Sequence, residues 1–215
     1  MTIAAVGFDL DDTLLVTERS RDAILADVAA AHDVSVSREA YLSAHRDHAV
    51  AETRRPIFDA LTETADPGAV ADTYRRLVGD HLTAVTDVAG LLAELGDRYA
   101  LGLLTNGPAR AQRDKLSRVG WTDAFDAIRV EGELGYGKPD RRAFDALLAA
   151  LDAPPVETVY VGNDPTMDVQ GAADAGCHTV QVTYPDGPAV ADAADAHLPR
   201  DRLASELPAV LADFD

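Results

Sequence analysis

The chain has 215 residues, of which 47% are hydrophobic, and this is enough to bury a core together with a smaller second module. Its net charge of −18 makes nucleic acid and anionic membranes poor partners. No apolar run reaches about 18 residues, so the sequence predicts no membrane span. The stretch from Met1 has no basic segment followed by an apolar one, so it predicts no signal peptide. We therefore expect a cytoplasmic protein.

The charged residues are unusual in kind as well as in number. The chain has 28 Asp and 9 Glu against 17 Arg, and its lysines are only Lys115 and Lys138. Such an acidic surface is typical of proteins from salt-loving organisms, in which high ionic strength screens the repulsion between like charges. We therefore expect the fold to be lost in dilute buffer and recovered in molar salt. A thermal melt followed by circular dichroism checks this, and a melting temperature that does not respond to salt would contradict it.

Short apolar runs alternate with segments of helical periodicity along most of the chain. This alternation predicts an α/β protein with a doubly wound parallel sheet. The single cysteine, Cys177, precedes one of the apolar runs and is expected to be a buried thiol rather than a nucleophile. The apolar runs lie at 3–8, 99–104, 126–130, 158–162 and 178–182, and the helical segments at 87–97, 109–119, 140–152 and 166–176.

The interval 17–84 departs from this alternation. It holds three amphipathic segments without a strand between them, and Asp66-Pro67-Gly68 is its clearest turn. The pattern predicts an all-helical domain over 17–84, inserted after the first strand into an α/β core formed by 1–16 and 85–215.

Three aspartates, Asp9, Asp11 and Asp12, follow the first apolar run. With 28 aspartates in the chain, random placement alone gives roughly three or four D-x-D matches, so the motif by itself proves little. Its position carries more weight, because carboxylates directly after a parallel strand lie at the edge of the sheet where ligands bind.

Two further motifs follow predicted strands. Thr105, Asn106 and Gly107 come between a strand and a helix that begins near Pro108, where a hydroxyl and free backbone N–H groups would form a phosphate cradle. A plain strand-to-helix turn explains these residues equally well. Lys138 lies between a glycine-rich loop and a helix beginning near Asp140, and the alternative for it is a solvated loop lysine.

The fourth motif follows the predicted strand 158–162. Asn163 and Asp164 end this strand, and Asp168 comes about one helical turn beyond Asp164. Side-chain oxygens at this spacing suit Mg²⁺, which prefers hard oxygen ligands and keeps part of its water. The four motifs together point to a metal and a phosphoryl group.

In this order, the motifs resemble those of the haloacid dehalogenase superfamily, and specifically its phosphatase-like members with a helical cap. The resemblance spans nearly the whole chain, through D-x-D-x-T at Asp9, Asp11 and Thr13, then Thr105, Lys138 and the acidic stretch from Asn163 to Asp168. It implies a Rossmann-like core, with residues 17–84 as the cap, and the enzyme class of phosphoric monoester hydrolases.

The resemblance also implies a role for each motif residue. Asp9 is the nucleophile that forms an aspartyl-phosphate, and Asp11 protonates the leaving oxygen and then activates water. We expect crowding by other carboxylates to raise the pKa of Asp11, and Thr13 to orient it. Lys138 and Mg²⁺ offset the negative charge of the phosphoryl group, and its oxygens are held by Thr105 and by the N–H groups of Asn106 and Gly107.

The metal ligands implied are an oxygen of Asp9, the backbone carbonyl of Asp11 and a side chain of the fourth motif. Where the family commonly has Gly-Asp, this chain has Gly162-Asn163-Asp164. We favour Asp164 as the direct metal ligand, with Asn163 close to the metal and Asp168 in contact with the ligands rather than with the metal itself. Asp12, at a position where many members have glycine, is expected to be a turn residue.

Several activities are compatible with these motifs. Dehalogenases need no second aspartate, so Asp11 favours phosphate chemistry over carbon–halogen chemistry. A phosphomutase uses the same two aspartates, and Asn163 leaves open a catalytically weakened phosphate-binding or regulatory protein.

Substrate identity is expected to reside in the cap. Arg54 and Arg55 are candidates to pair with a second anionic group of the substrate, although a solvated helix end is the preferred interpretation of both. The four histidines of the cap show no metal-ligand spacing. A small phosphorylated metabolite, such as a sugar phosphate, phosphoglycolate or a nucleotide, fits a covered site better than a phosphoprotein.

Overall fold

A computed structural model describes residues 2–48, 50–63 and 65–214 of the chain. Six parallel strands form one sheet in the order β5-β4-β1-β6-β7-β8, so that β1 lies inside the sheet between β4 and β6. The α/β class and the parallel, Rossmann-like sheet predicted from the sequence are confirmed. The strands are β1 (Ala5–Phe8), β4 (Ala100–Thr105), β5 (Ala127–Val130), β6 (Thr158–Gly162), β7 (His178–Thr183) and β8 (Ala196–Pro199).

Helices cover both faces of the sheet because strands β1, β4, β5 and β6 carry apolar side chains on both sides. On one face α8 buries a stripe that includes Phe144 and Leu147, spaced three residues apart, against β4 and β5. On the other face α5 and α10 pack against each other over the larger cluster. These helices are α5 (Val88–Gly96), α6 (Ala109–Arg118), α7 (Glu131–Leu134), α8 (Arg141–Leu151), α9 (Gly171–Ala175) and α10 (Leu203–Ala212).

Four helices lie between β2 (Leu15–Thr17) and β3 (Leu82–Ala84), which pair as a separate antiparallel ribbon. Their apolar faces form a hydrophobic cluster of their own, in which Tyr41, Phe58 and Tyr74 stack with ring centroids 5.1–5.8 Å apart. This separate cluster supports the proposal that 17–84 is a cap domain. The helices are α1 (Arg21–His32), α2 (Arg38–His48), α3 (Arg55–Asp59) and α4 (Pro67–Asp80).

Several local features differ from the sequence-based expectation. The segment 166–176 is not one helix, because a wide π turn at Pro165–Gln170 precedes α9. Asp66 is the N-cap of α4, where its side chain accepts a hydrogen bond from the N–H of Gly68, so the predicted turn is the start of a helix. Helix α2 is described over Arg38–His48, and Ala49, which follows it, lies outside the described residues.

Two further observations concern the whole chain. The longest described helix, α4, has 14 residues, and among the described residues no helix has the length and apolar character needed to cross a bilayer. Cys177 is buried, as expected, and burial raises the pKa of its thiol to about 12.

Candidate active site

The carboxyl ends of the central strands meet at one cavity of about 220 Å³. Asp9 follows β1, Thr105 ends β4 and Asn163 follows β6, so the parallel topology places three of the four motifs at the same sheet edge. The loop before α8 brings Lys138 to them. The lining residues are Asp9, Asp11, Asp12, Thr105, Asn106, Lys138, Asn163, Asp164, Met167 and Asp168.

Lys138 lies at the centre of the site. Its Nζ is 2.6 Å from Asp9 Oδ1, 2.6 Å from Asp168 Oδ1 and 3.0 Å from the hydroxyl oxygen of Tyr160. With 5% of its surface exposed, it is not the solvated loop lysine of the alternative interpretation. Burial disfavours the charged ammonium, but the carboxylates of Asp168 and Asp9 outweigh burial and hold the pKa of Lys138 well above its usual value.

The side chain of Asn106 fixes the backbone of Lys138. The N–H of Lys138 donates to Asn106 Oδ1 and Asn106 Nδ2 donates to the carbonyl oxygen of Lys138, both at 2.8 Å. This two-way contact joins the second and third motifs and positions the lysine before any ligand binds.

The fourth motif is shaped by Gly162 and Asp164. A Cβ at Gly162 would overlap the carboxylate of Asp168, so glycine is needed there for Asp168 to lie against the end of β6. Asp168 Oδ2 accepts the N–H of Asp164 at 2.9 Å, and Asp164 Oδ1 accepts the N–H groups of Thr166 and Met167. Asp164 therefore caps the following turn with one of its oxygens.

Asp11 is surrounded by cations rather than by other carboxylates. Its carboxylate accepts hydrogen bonds from Lys115, from Arg21 at 3.2 Å and from Gln112 at 3.0 Å. Burial acts to raise the pKa of Asp11, but the charges of Lys115 and Arg21 outweigh burial, and the pKa is lowered. The expectation of a raised pKa is wrong, because it considered only the aspartates adjacent in sequence.

Sequence reasoning missed Gln112 and Lys115, both on α6. Gln112 Nε2 reaches Asp11, the hydroxyl oxygen of Thr105 and the carbonyl oxygen of Asn106, so it links three motif residues. Both side chains are buried. The sequence did contain a signal for them. Gln112 and Lys115 are polar residues three positions apart on the apolar face of an amphipathic helix, where apolar residues are expected.

Two predicted contacts differ in the structure. Thr13 donates to Asn163 Oδ1 at 3.1 Å and so orients the fourth motif, whereas Asp11 is oriented by the cations around it. The N–H of Gly107 donates to Glu131 Oε2 at 2.7 Å, so a phosphoryl oxygen would have to compete with Glu131 for it. Asp12 has a φ of 61°, as expected of a turn residue.

The two candidate arginines of the cap have different environments. Arg55 is exposed, as the solvated interpretation predicts, but Arg54 is only 9% exposed and its guanidinium lies over the ring of Tyr74. For Arg54 the preferred interpretation is therefore wrong.

The cavity beside Lys138 is lined by carboxylate and amide oxygens, the kind of ligand that Mg²⁺ prefers. Asp9 and Asp168 share this one lysine, so the three buried groups carry an excess negative charge, and burial raises the pKa of Asp9. Mg²⁺ needs only one or two carboxylates together with water, and no cluster of three or more metal-binding side chains is found in the described part of the chain. The residues able to hold it are Asp9, Asp11, Asn163, Asp164 and Asp168.

Comparison with known proteins agrees with this geometry. The model of the haloacid dehalogenase-like hydrolase family matches residues 6–182. The chain is 32% identical over 197 residues to glyceraldehyde 3-phosphate phosphatase of Methanopyrus kandleri, which covers 84% of each protein. It is 42% identical over 97 residues to phosphoserine phosphatase of Thermus thermophilus, but this match spans only 39% of that relative and 45% of this chain.

Solved structures have the same fold over nearly the whole chain. A haloacid dehalogenase (HAD) phosphatase from Thermococcus onnurineus is 25% identical and superposes with a TM-score of 0.74, covering 97% of this chain and 98% of that one. The HAD-hydrolase YfnB from Bacillus subtilis, solved bound to magnesium, is 20% identical and has a TM-score of 0.76, covering 99% and 100%. By its motifs and by these matches, the chain belongs to the haloacid dehalogenase-like hydrolase family, where it is a phosphatase-like protein.

Proposed function

We propose that the protein is a Mg²⁺-dependent phosphatase that hydrolyses a small phosphorylated metabolite through an aspartyl-phosphate on Asp9. The observation that carries this proposal is the buried contact of Lys138 with Asp9 at the edge of a cavity that Asp11 and Thr105 also line. A carboxylate, a fixed cation and a second carboxylate at one sheet edge are the groups that phosphoryl transfer through a covalent intermediate requires.

In the first step, an Asp9 oxygen attacks phosphorus as the bond from phosphorus to the leaving oxygen breaks. Lys138 offsets the negative charge of the incoming phosphoryl group, and the hydroxyl of Thr105 donates a hydrogen bond to it. Asp11 gives its proton to the leaving oxygen. Lys115 and Arg21 favour the ionised carboxylate of Asp11, so the protonation that this step needs works against these two cations.

In the second step, Asp11 removes a proton from water, and the resulting hydroxide attacks the phosphorus of the intermediate. The bond from phosphorus to Asp9 breaks, which restores the Asp9 carboxylate and releases inorganic phosphate. Asp11 is then protonated again, as the first step of the next turnover requires.

Asp9, the backbone carbonyl of Asp11 and a side chain of the fourth motif would hold Mg²⁺. In the described structure, only Oδ1 of Asp164 caps the following turn, so its Oδ2 is available to a cation. The amide oxygen of Asn163, in contrast, accepts a hydrogen bond from Thr13. This supports Asp164 as the direct ligand, with Asp168 engaged by Lys138. When bound, Mg²⁺ offsets the negative charge that the phosphoryl group adds to the aspartates.

Hydrolysis is favoured over the other reactions of the superfamily by Asp11 and by the relatives. Asp11 has no role in releasing halide. The two relatives quoted above are both named as phosphatases, one of glyceraldehyde 3-phosphate and one of phosphoserine. A cavity of about 220 Å³ also suits a small metabolite.

Phosphate release from a panel of phosphorylated metabolites, in molar salt, tests this proposal. We expect release that requires Mg²⁺ and stops when EDTA is added, together with incorporation of one ¹⁸O from labelled water into the phosphate. The protein without added metal, returned to Mg²⁺, is the matched control. Folded protein that transfers the phosphoryl group to a second sugar phosphate and not to water would instead identify a phosphomutase.

A further inference from the structure

We propose that the interface between the helical cap and α6 contains a subsite for a second anionic group of the substrate, formed by Arg21, Arg54 and Lys115. The inference rests on the proposed function. It names the substrate class as small organic phosphates that carry a carboxylate or a second phosphate on the leaving group.

The three cations come from separate elements: Arg21 and Lys115 contact Asp11, and Arg54 borders the same small void as Lys115. Arg21 begins α1, Arg54 precedes α3 and Lys115 lies on α6. Lys115 is 3% exposed and Arg54 is 9% exposed. Positive charge is therefore buried between cap and core in a chain whose net charge is −18.

Negative charge in this interface does not match the positive charge. Asp11 is the carboxylate that pairs with Lys115 and Arg21, and none of the described ion pairs includes Arg54. The nearby carboxylate of Asp114 is already bound, because it lies 3.1 Å from Arg75. Among the described ion pairs, Asp11 is thus the one carboxylate bound to any of these three cations.

The guanidinium groups also have hydrogen-bonding capacity to spare. One terminal nitrogen of Arg21 and one of Arg54 are buried without a hydrogen-bond partner in the described structure. A buried unpartnered N–H group is costly, and the ring of Tyr74 below Arg54, at 5.4 Å, accepts no conventional hydrogen bond. An anion with several acceptor oxygens would satisfy both the charge and the donors.

His45 lies in the same positive field. Burial first, and then the charges of Arg54 and Lys115, lower the pKa of its imidazole to about 4. At neutral pH His45 adds no charge, so the excess comes from the three cations.

The position of these cations fits the leaving group. Asp11 lines the cavity and contacts Lys115, so a leaving oxygen placed at Asp11 directs the rest of the substrate toward the cations. The voids that border Arg54 measure about 10 and 20 Å³, too small for a carboxylate or phosphate. An anionic group on the leaving group therefore reaches these cations by taking the place of the Asp11 carboxylate beside Lys115.

Pairs of substrates that differ by one anionic group test this inference. Phosphate release is measured from 3-phosphoglycerate and glycerol 3-phosphate, which differ by a carboxylate, and from fructose 1,6-bisphosphate and fructose 6-phosphate, which differ by a phosphate. We expect the wild type to favour the two-anion member of at least one pair by about 10- to 100-fold in kcat/KM, the range for a charge-assisted contact. The pair that responds distinguishes a carboxylate from a phosphate.

Two variants locate the preference. Arg54→Met is expected to reduce it to within about twofold, whereas Arg54→Lys, which keeps the charge, should retain part of it. Arg46→Met on the exposed side of α2 is the matched control and should keep the wild-type preference.

Failure of the inference can be told from failure of the proposed function. Wild-type protein that hydrolyses both members of each pair equally well would overturn the subsite and leave the phosphatase in place. A preference that survives unchanged in folded Arg54→Met and Lys115→Met would also overturn it. Release from no compound at all would overturn the proposed function itself.

Discussion

Replacing Lys138 with methionine is expected to lower the free energy of unfolding by about 3–5 kcal/mol and to abolish phosphate release. Lys138 lies between the buried carboxylates of Asp9 and Asp168, and methionine would leave both without their cation. Urea unfolding of the metal-free protein in molar salt measures the stability, and phosphate release measures the activity.

A double variant separates the charge of Lys138 from its packing. Adding Asp168→Asn to Lys138→Met removes one of the two uncompensated carboxylates, so part of the lost stability should return although activity does not. If Lys138→Met unfolds at the same urea concentration as the wild type, the three groups do not form the charge cluster described above.

Asp9→Asn is expected to lower kcat by at least about 10⁴-fold, because an amide cannot form the acyl-phosphate bond. Its stability should equal or exceed that of the wild type, since Lys138 keeps Asp168 as its partner and one buried negative charge is removed. Burst labelling with a phosphoryl donor, followed by mass spectrometry of the peptide that contains residue 9, locates the intermediate.

The matched control for Asp9→Asn is Asp12→Asn at the neighbouring turn. Asparagine tolerates the left-handed backbone that Asp12 adopts, so the fold should be kept. Labelled phosphate on Asp9→Asn protein would show that another residue is the nucleophile.

The sheet could be predicted because its inner strands are buried on both faces. Strands of this kind, such as β1, β4 and β6, are nearly continuous apolar runs, and these three together with β5 and β7 fall within two residues of the predicted positions. The ribbon of β2 and β3 escaped notice because each strand has three residues and is recognisable only through its partner. Strand β8 was also missed, because its sequence Ala-His-Leu-Pro is too short to show the hydrophobic pattern of a strand.

The site was predictable as far as the strand ends determine it. Asp9, Thr105 and Asn163 reach one cavity because parallel strands end at one edge. The cations around Asp11 were not predictable in this way. Arg21 lies on α1 and reaches Asp11 across the fold, so its contact depends on how α1 packs against the sheet, and no spacing along the chain encodes that packing.

The β2–β3 ribbon has a consequence for how such a protein can diversify. Leu15 lies opposite Ala84 and Thr17 opposite Leu82, so the chain leaves the core and returns to it at one place. A helical segment of another length or sequence could be exchanged there without altering the spacing of the strands that carry the aspartates and Lys138. Evolution can therefore change what is recognised by replacing one contiguous stretch of the gene, while the bond-breaking machinery is inherited intact.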